Sequence, residues 1–72
     1  MALNLVCTNN QGASVTLDTS NNYKYKSAGG SSDVTGSYNI VNDSLISLPE
    51  ADKVLYYDGF DLADRLDIYS CK

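Results

Sequence analysis

Apolar and polar residues alternate along most of this chain, with the two-residue period of strands that bury one face. Leu3, Leu5 and Cys7 alternate with outward positions, and Asn9-Asn10-Gln11-Gly12 then supplies turn chemistry. Ala13, Val15 and Leu17 alternate with Ser14, Thr16 and Asp18, so the opening segment predicts two strands of a meander. A second polar turn, Asp18 to Asn22, leads into Tyr23-Lys24-Tyr25-Lys26, where the tyrosines share one face and the lysines the other. Ser27 to Ser32 carries no apolar side chain larger than alanine and holds Gly29-Gly30, which predicts a flexible loop. Val34, Gly36, Tyr38 and Ile40 resume the alternation, Asn42-Asp43 can turn the chain, and Ser44 to Leu48 returns as the second arm of a hairpin.

Beyond Leu48 two periods compete. Ser47, Pro49, Glu50 and Gly59 can start and stop a helix whose buried face is Ala51, Val54 and Leu55. Against that, Val54-Leu55-Tyr56-Tyr57 followed by Asp58-Gly59 has the composition of a strand running into a tight turn. The strand is the favoured reading, with a short helical segment allowed near residues 49–64 and one helical turn expected at residues 60–64. From Arg65 to Cys71, Leu66, Ile68 and Ser70 fall on one face and Asp67, Tyr69 and Cys71 on the other, which suits a closing strand beside the first. About six or seven short strands with turn residues between them predict an all-β single domain over residues 1–72, a small antiparallel barrel or sandwich.

Length changes the picture next. A domain this short buries only about 60% of the surface its unfolded chain exposes, so its core is marginal. The two cysteines, Cys7 and Cys71, stand near opposite ends of the 72 residues. Joined, they would close almost the whole chain and contribute about 4 kcal/mol, and pairing of the first and last strands would bring them together. A disulfide implies an oxidising compartment and hence a periplasmic or secreted protein, whereas two reduced, buried thiols would fit a cytosolic one. No charged and then apolar leader precedes Leu3, so either a signal segment has been removed or the protein is cytosolic. No apolar run approaches the roughly 20 residues of a membrane span, and a soluble protein without membrane partners is expected.

Charge and side-chain inventory restrict the chemistry. Nine acidic residues against five basic ones give a net charge of −4, which disfavours nucleic acid and anionic membranes and favours a basic protein partner. The absence of histidine excludes Ser-His, Cys-His and histidine-metal arrangements, and acid-base work by paired carboxylates such as Asp58, Asp61, Asp64 and Asp67 would need a desolvating cleft for which so short a chain has little room, so no catalytic residues, metal or cofactor are expected and the chain reads as a non-enzyme. Asp58, Asp61, Asp64 and Asp67 recur every third residue but lack the ligand spacing of a calcium loop; they suit an acidic patch facing Arg and Lys. Six tyrosines accompany one phenylalanine and no tryptophan. Tyr38 and Tyr25 are assigned to the core. Tyr56 and Tyr57 are adjacent and must point to opposite faces of a strand, leaving one exposed beside the Asp58-Gly59 turn. Asn42-Asp43-Ser44 matches a glycosylation acceptor pattern of low specificity. The candidate contact residues are Ser37, Tyr56, Tyr57, Asp58, Asp61 and Asp64, with the Gly29-Gly30 loop.

Leu5-Val6-Cys7, Gly12, Val15 and Leu17 at the start, Gly36 and Tyr38 in the middle, and Tyr69-Ser70-Cys71-Lys72 at the end together resemble the periplasmic inhibitors of c-type lysozyme. The resemblance implies a small antiparallel barrel with a cysteine near each end. In that family a Ser-Gly-x-x-Tyr-like segment and a later Lys-Gly turn enter the lysozyme cleft. Here the first reads Thr35-Gly36-Ser37-Tyr38, one residue shorter between glycine and tyrosine, and the second reads Asp58-Gly59. A lysine can pair with the catalytic carboxylates of a lysozyme, while an aspartate is repelled by them.

Two functional readings follow. One is a non-catalytic, exported binding or inhibitor module acting on a basic protein, lysozyme-inhibitor-like in fold. The other is a cytosolic phage or mobile-element protein, acting in the cytoplasm of an infected host, which inhibits a defence or nucleic-acid enzyme by presenting its aspartates as a mimic of phosphate charge. A subunit of a larger assembly would instead expose an apolar strand edge and self-associate. The sequence leaves the oligomeric state open.

Overall fold

The computed structural model describes residues 3–30, 33–65 and 67–72. Among them the chain forms nine strands: β1 Leu5–Thr8, β2 Ser14–Leu17, β3 Asn22–Lys26, β4 Asp33–Ser37, β5 Asn39–Asn42, β6 Leu45–Leu48, β7 Lys53–Tyr57, β8 Leu62–Ala63 and β9 Ile68–Cys71. They make one antiparallel sheet in the order β4-β3-β2-β1-β9-β8-β7-β6-β5, curled into a nearly closed barrel. Consecutive strands are neighbours except β4 and β5, which form the two edges of the sheet, and the chain ends meet mid-sheet at β1 and β9. Of the all-β barrel or sandwich expected from the alternation, the barrel is what forms, with a few more strands than expected.

Two of the extra strands have identifiable causes. Val34, Gly36, Tyr38 and Ile40 all point inward as one strand would require, but the hydrogen-bonded neighbour changes from β3 to β6 on passing Tyr38. At that point the Tyr38 N–H donates to the Asn21 carbonyl at 2.9 Å, and the strand divides into β4 and β5. The helical turn expected at residues 60–64 is replaced by a turn and the short β8. Asp58 Oδ1 accepts the N–H groups of Phe60 and Asp61, each at 2.8 Å, and Gly59 adopts φ 97°, so the chain reverses at once. Leu62 is then delivered fully buried between Tyr57 and Tyr69. The ambiguity at residues 49–58 resolves as a single 3₁₀ turn, Pro49–Ala51, ended by Asp52 at φ 55°, before strand β7. Leu66, together with Ser31 and Ser32 of the glycine loop, lies outside the described residues.

Cross-strand rows fill the interior. Leu5, Leu17, Tyr23 and Gly36 stand opposite one another on β1 to β4, as do Cys71, Cys7, Val15, Tyr25 and Val34 on β9 and β1 to β4. In the other half Ile46 faces Leu55, and Tyr57, Leu62 and Tyr69 form a further row. Tyr25, expected in the core, is only half-buried there, whereas Tyr23 and Tyr38 are buried.

Cys7 and Cys71 are directly opposed and joined by a disulfide, their Cα atoms 3.9 Å apart. Only Cys7↔Cys71 and Thr8↔Ser70 are in register between β1 and β9, with one more bond from Lys72 N–H to the Val6 carbonyl at 3.0 Å. The covalent link therefore fastens a seam that backbone pairing alone holds thinly. On the opposite side the 3₁₀ turn covers β4. The Tyr23 hydroxyl donates to Glu50 Oε1 and accepts from the Ala51 N–H, both at 3.0 Å. A Cβ at Gly36 would collide with the Glu50 carboxylate and stand 2.9 Å from its Cγ, so the Glu50 side chain can lie over the strand toward Tyr23 because residue 36 is glycine.

Candidate contact face on strands β7 to β9

Strand β7 alternates strictly: Leu55 is fully buried against β6, and Val54 and Tyr56 on either side of it face outward. Tyr56, not Tyr57, is thus the exposed member of the pair, at 62%. Tyr56 stands opposite Ala63 on β8, and Ala63 stands opposite Ile68 on β9. Ile68 is 66% exposed because Tyr69 and the disulfide-bonded Cys71 occupy the inward phase of β9. With Val54 on the same outer face and Phe60 exposed in the β7–β8 turn, large apolar side chains gather where single exposed ones would be unremarkable.

Tyr56 separates two grooves. One, of about 380 Å³, is lined by Ser44, Tyr57, Asp58, Asp61, Ala63 and Ile68 together with Tyr56. The other, of about 400 Å³, is lined by Leu45, Asp52, Lys53, Val54, Asp64 and Arg65, again with Tyr56. Among the described residues the first has two carboxylates and no cationic lining residue, whereas the second holds two of each sign.

Local hydrogen bonds fix these carboxylates. The Asp61 and Phe60 amides hold the Asp58 carboxyl below the ordinary aspartate range, so it stays ionised in neutral solution. Asp61 is half-buried, and its Oδ1 accepts the Cys71 N–H at 3.2 Å, which ties the turn to the disulfide-bearing strand. In the second groove the Arg65 amide, 2.7 Å from Asp64 Oδ1, lowers the Asp64 carboxyl against the opposing effect of burial; its Lys53 partner lowers it further. Lys53 Nζ lies 3.3 Å from Asp64 Oδ2 and 5.2 Å from the centre of the Tyr25 ring. Burial alone would lower Lys53, but Asp64 and Tyr25 outweigh it and raise the ammonium above its usual value. Beneath them burial, assisted by Tyr25, raises the Tyr69 phenol well above its ordinary range.

Of the residues singled out from sequence, Tyr56, Tyr57, Asp58 and Asp61 come together in the first groove. Asp64 belongs to the second and is already paired with Lys53. Ser37 lines a separate polar groove with Thr16, Asn22, Lys24 and Thr35, and Gly29 and Gly30 line none of the three. The four aspartates expected as an acidic patch divide along the chain, with Asp58 and Asp61 before the short β8 and Asp64 and Asp67 after it. Val54, Phe60 and Ile68 were not singled out; for Ile68 the signal was present, since it must oppose Cys71 in phase.

Comparison with protein-family models, curated proteins and solved structures gives no match. The fold and the disulfide themselves define the class, a small antiparallel barrel fastened by cysteines near its two ends. Among the described residues no helix is long and apolar enough to cross a membrane.

Proposed function

We propose that this protein is a non-catalytic binding module, an inhibitor in the manner of small barrel inhibitors, which docks on a basic protein through the outer face of β7, β8 and β9. The observation that carries the reading is the exposed row Tyr56, Ala63 and Ile68 bordered by the ionised Asp58 and by Asp61. An exposed tyrosine with apolar neighbours is the usual make-up of an interface centre, and carboxylates at its border suit the polar rim. The net charge of −4 would steer a cationic partner toward it. The disulfide favours an oxidising compartment, periplasmic or extracellular.

The lysozyme-inhibitor resemblance enters at the level of the barrel and its cysteines. Its contact segments do not carry over, because the Asp58-Gly59 turn offers a carboxylate where that family offers a lysine; a basic target would be met on its outer surface instead of in an acidic cleft. The phosphate-mimic reading loses ground for a different reason. Such a mimic needs several uncompensated charges in line, and here the four aspartates divide between the two ends of β8, with Asp64 paired to Lys53.

The test is binding of the oxidised protein to a set of cationic proteins, a c-type lysozyme among them, and to acidic proteins of similar size, at increasing salt. Binding is expected only within the cationic set, to weaken as salt rises, and to fall about thirtyfold with Tyr56→Ala, the loss typical of an interface hot spot. Binding to neither set, or equally to both, would refute the reading.

A further inference from the structure

We infer that the groove between Tyr56 and Ile68 receives an arginine side chain of the partner. This rests on the binding reading above and names the group that is recognised. The two grooves beside Tyr56 differ in charge balance, not in size. In the Val54 groove Lys53 and Asp64 satisfy one another at 3.3 Å, and the lining adds Arg65 as well as Asp52, so an incoming cation would meet a lining with no net negative charge. The Ile68 groove has Asp58 and Asp61 with no cation among its described lining residues. In both of these carboxylates the hydrogen bonds described use Oδ1: Asp58 for the Phe60 and Asp61 amides, Asp61 for the Cys71 amide. Their Oδ1 bonds hold both carboxylates in place, and each retains a second oxygen for a ligand.

The remaining walls determine which cation fits. Tyr56, Ala63 and Ile68 are apolar surface for an alkyl stem, and the Tyr56 ring is open on its outer side at 62% exposure. Lysine would place a strongly hydrated point charge there. The arginine guanidinium is planar, less strongly hydrated, and stacks on aromatic rings while donating in a fork to carboxylate oxygens. An aromatic wall beside two fixed carboxylates matches that combination. The groove belongs to strands on either side of a tight turn, and the Asp61 bond to β9 holds the turn against the seam closed by the disulfide. The pocket is therefore formed before a ligand arrives, which spares the ordering cost of binding.

The probe is a capped Gly-Arg-Gly peptide, with Gly-Lys-Gly and Gly-citrulline-Gly as comparators, titrated into the ¹⁵N-labelled oxidised protein and followed by amide chemical shifts. Saturable shifts are expected at Tyr57, Asp58, Asp61, Ala63 and Ile68, severalfold weaker binding for the lysine peptide, and no saturable response to citrulline, which keeps the shape and loses the charge. Combining Asp58→Asn with Asp61→Asn keeps both Oδ1 acceptors and should weaken binding at least about tenfold, with the remaining spectrum reporting an intact fold. Tyr56→Leu should also weaken it, by removing the stacking surface. Equal response to arginine and citrulline, or shifts centred elsewhere, would overturn the inference. So would no response while a whole cationic protein still binds in a Tyr56-dependent manner, an outcome that leaves the binding reading standing. Failure of the peptide and of every cationic protein removes both.

Discussion

Reducing the Cys7–Cys71 bond should cost the barrel about 4 kcal/mol, a large part of its stability. The two cysteines are 64 residues apart. In the chain-entropy treatment, opening a loop of that length returns about 14 cal/mol/K to the unfolded chain, or about 4 kcal/mol at 25 °C. A domain of this size has a total stability of roughly 4 to 11 kcal/mol, so the reduced form is left near the midpoint of unfolding or a few kcal/mol above it. Native contacts offer little compensation, because β1 and β9 have only two residue pairs in register. The assay is urea unfolding with and without a phosphine reductant, followed by far-UV circular dichroism and by tyrosine fluorescence, since the chain has no tryptophan. With a slope of about 1 kcal/mol/M, the midpoint should fall by about 4 M, or the reduced protein should be unfolded before urea is added. A reduced protein within about 1 kcal/mol of the oxidised one would show that the link does not restrain the unfolded chain as argued.

Other consequences are equally accessible. Gly36→Ala should destabilise the barrel by about 1–2 kcal/mol by displacing Glu50 from the Tyr23 hydroxyl; in a Glu50→Ala background, which has already lost that bond and the obstructing side chain, thermal melts should show the same substitution costing little. Tyr38→Phe removes the hydroxyl that accepts the Leu3 N–H at 2.9 Å and donates to the Asp18 carbonyl at 2.8 Å, and should cost about 2 kcal/mol in urea unfolding. Stability should decline above about pH 10 in a pH series of melts. Tyr69, Tyr23 and Lys53 all have folded-state values raised above their unfolded ones, so the unfolded chain gives up their protons first. On the acid side Asp58 and Asp64 are lowered on folding, so their contribution is complete above their unfolded value and is lost as the pH falls from about 4 through the lower folded ones.

Much of the barrel was legible in the alternation because burial on one face of a strand leaves a period of two. Val15, Leu17, Tyr23, Ile46, Leu48 and Tyr69 are buried on that account, and the meeting of the first and last strands followed from the phase of Cys7 and Cys71. The division at Tyr38 was not legible, since the inward phase continues unbroken and only the hydrogen-bonded neighbour changes. Strand β8 is too short to carry a period at all, and its existence depends on the Asp58 turn. Gly36 could be noticed beside Tyr38, but the cause of its being glycine is Glu50, brought to it by the 3₁₀ turn. At the contact face, adjacency settled that one of Tyr56 and Tyr57 points outward. Which one depended on whether Val54 or Leu55 enters the core, and two apolar neighbours give no sequence basis for choosing. The even spacing of the four aspartates suggested a single acidic patch, yet spacing does not show that β8 lies between the pairs or that Lys53 has claimed Asp64.

The most direct test of the contact face is an amide chemical-shift map of the oxidised protein with the tightest-binding member of the cationic set. The account predicts perturbation concentrated on Val54, Tyr56 to Asp61, Ala63 and Ile68, with Thr16, Lys24, Thr35 and Ser37 unmoved. A map centred on that second group, or spread evenly around the barrel, would contradict it.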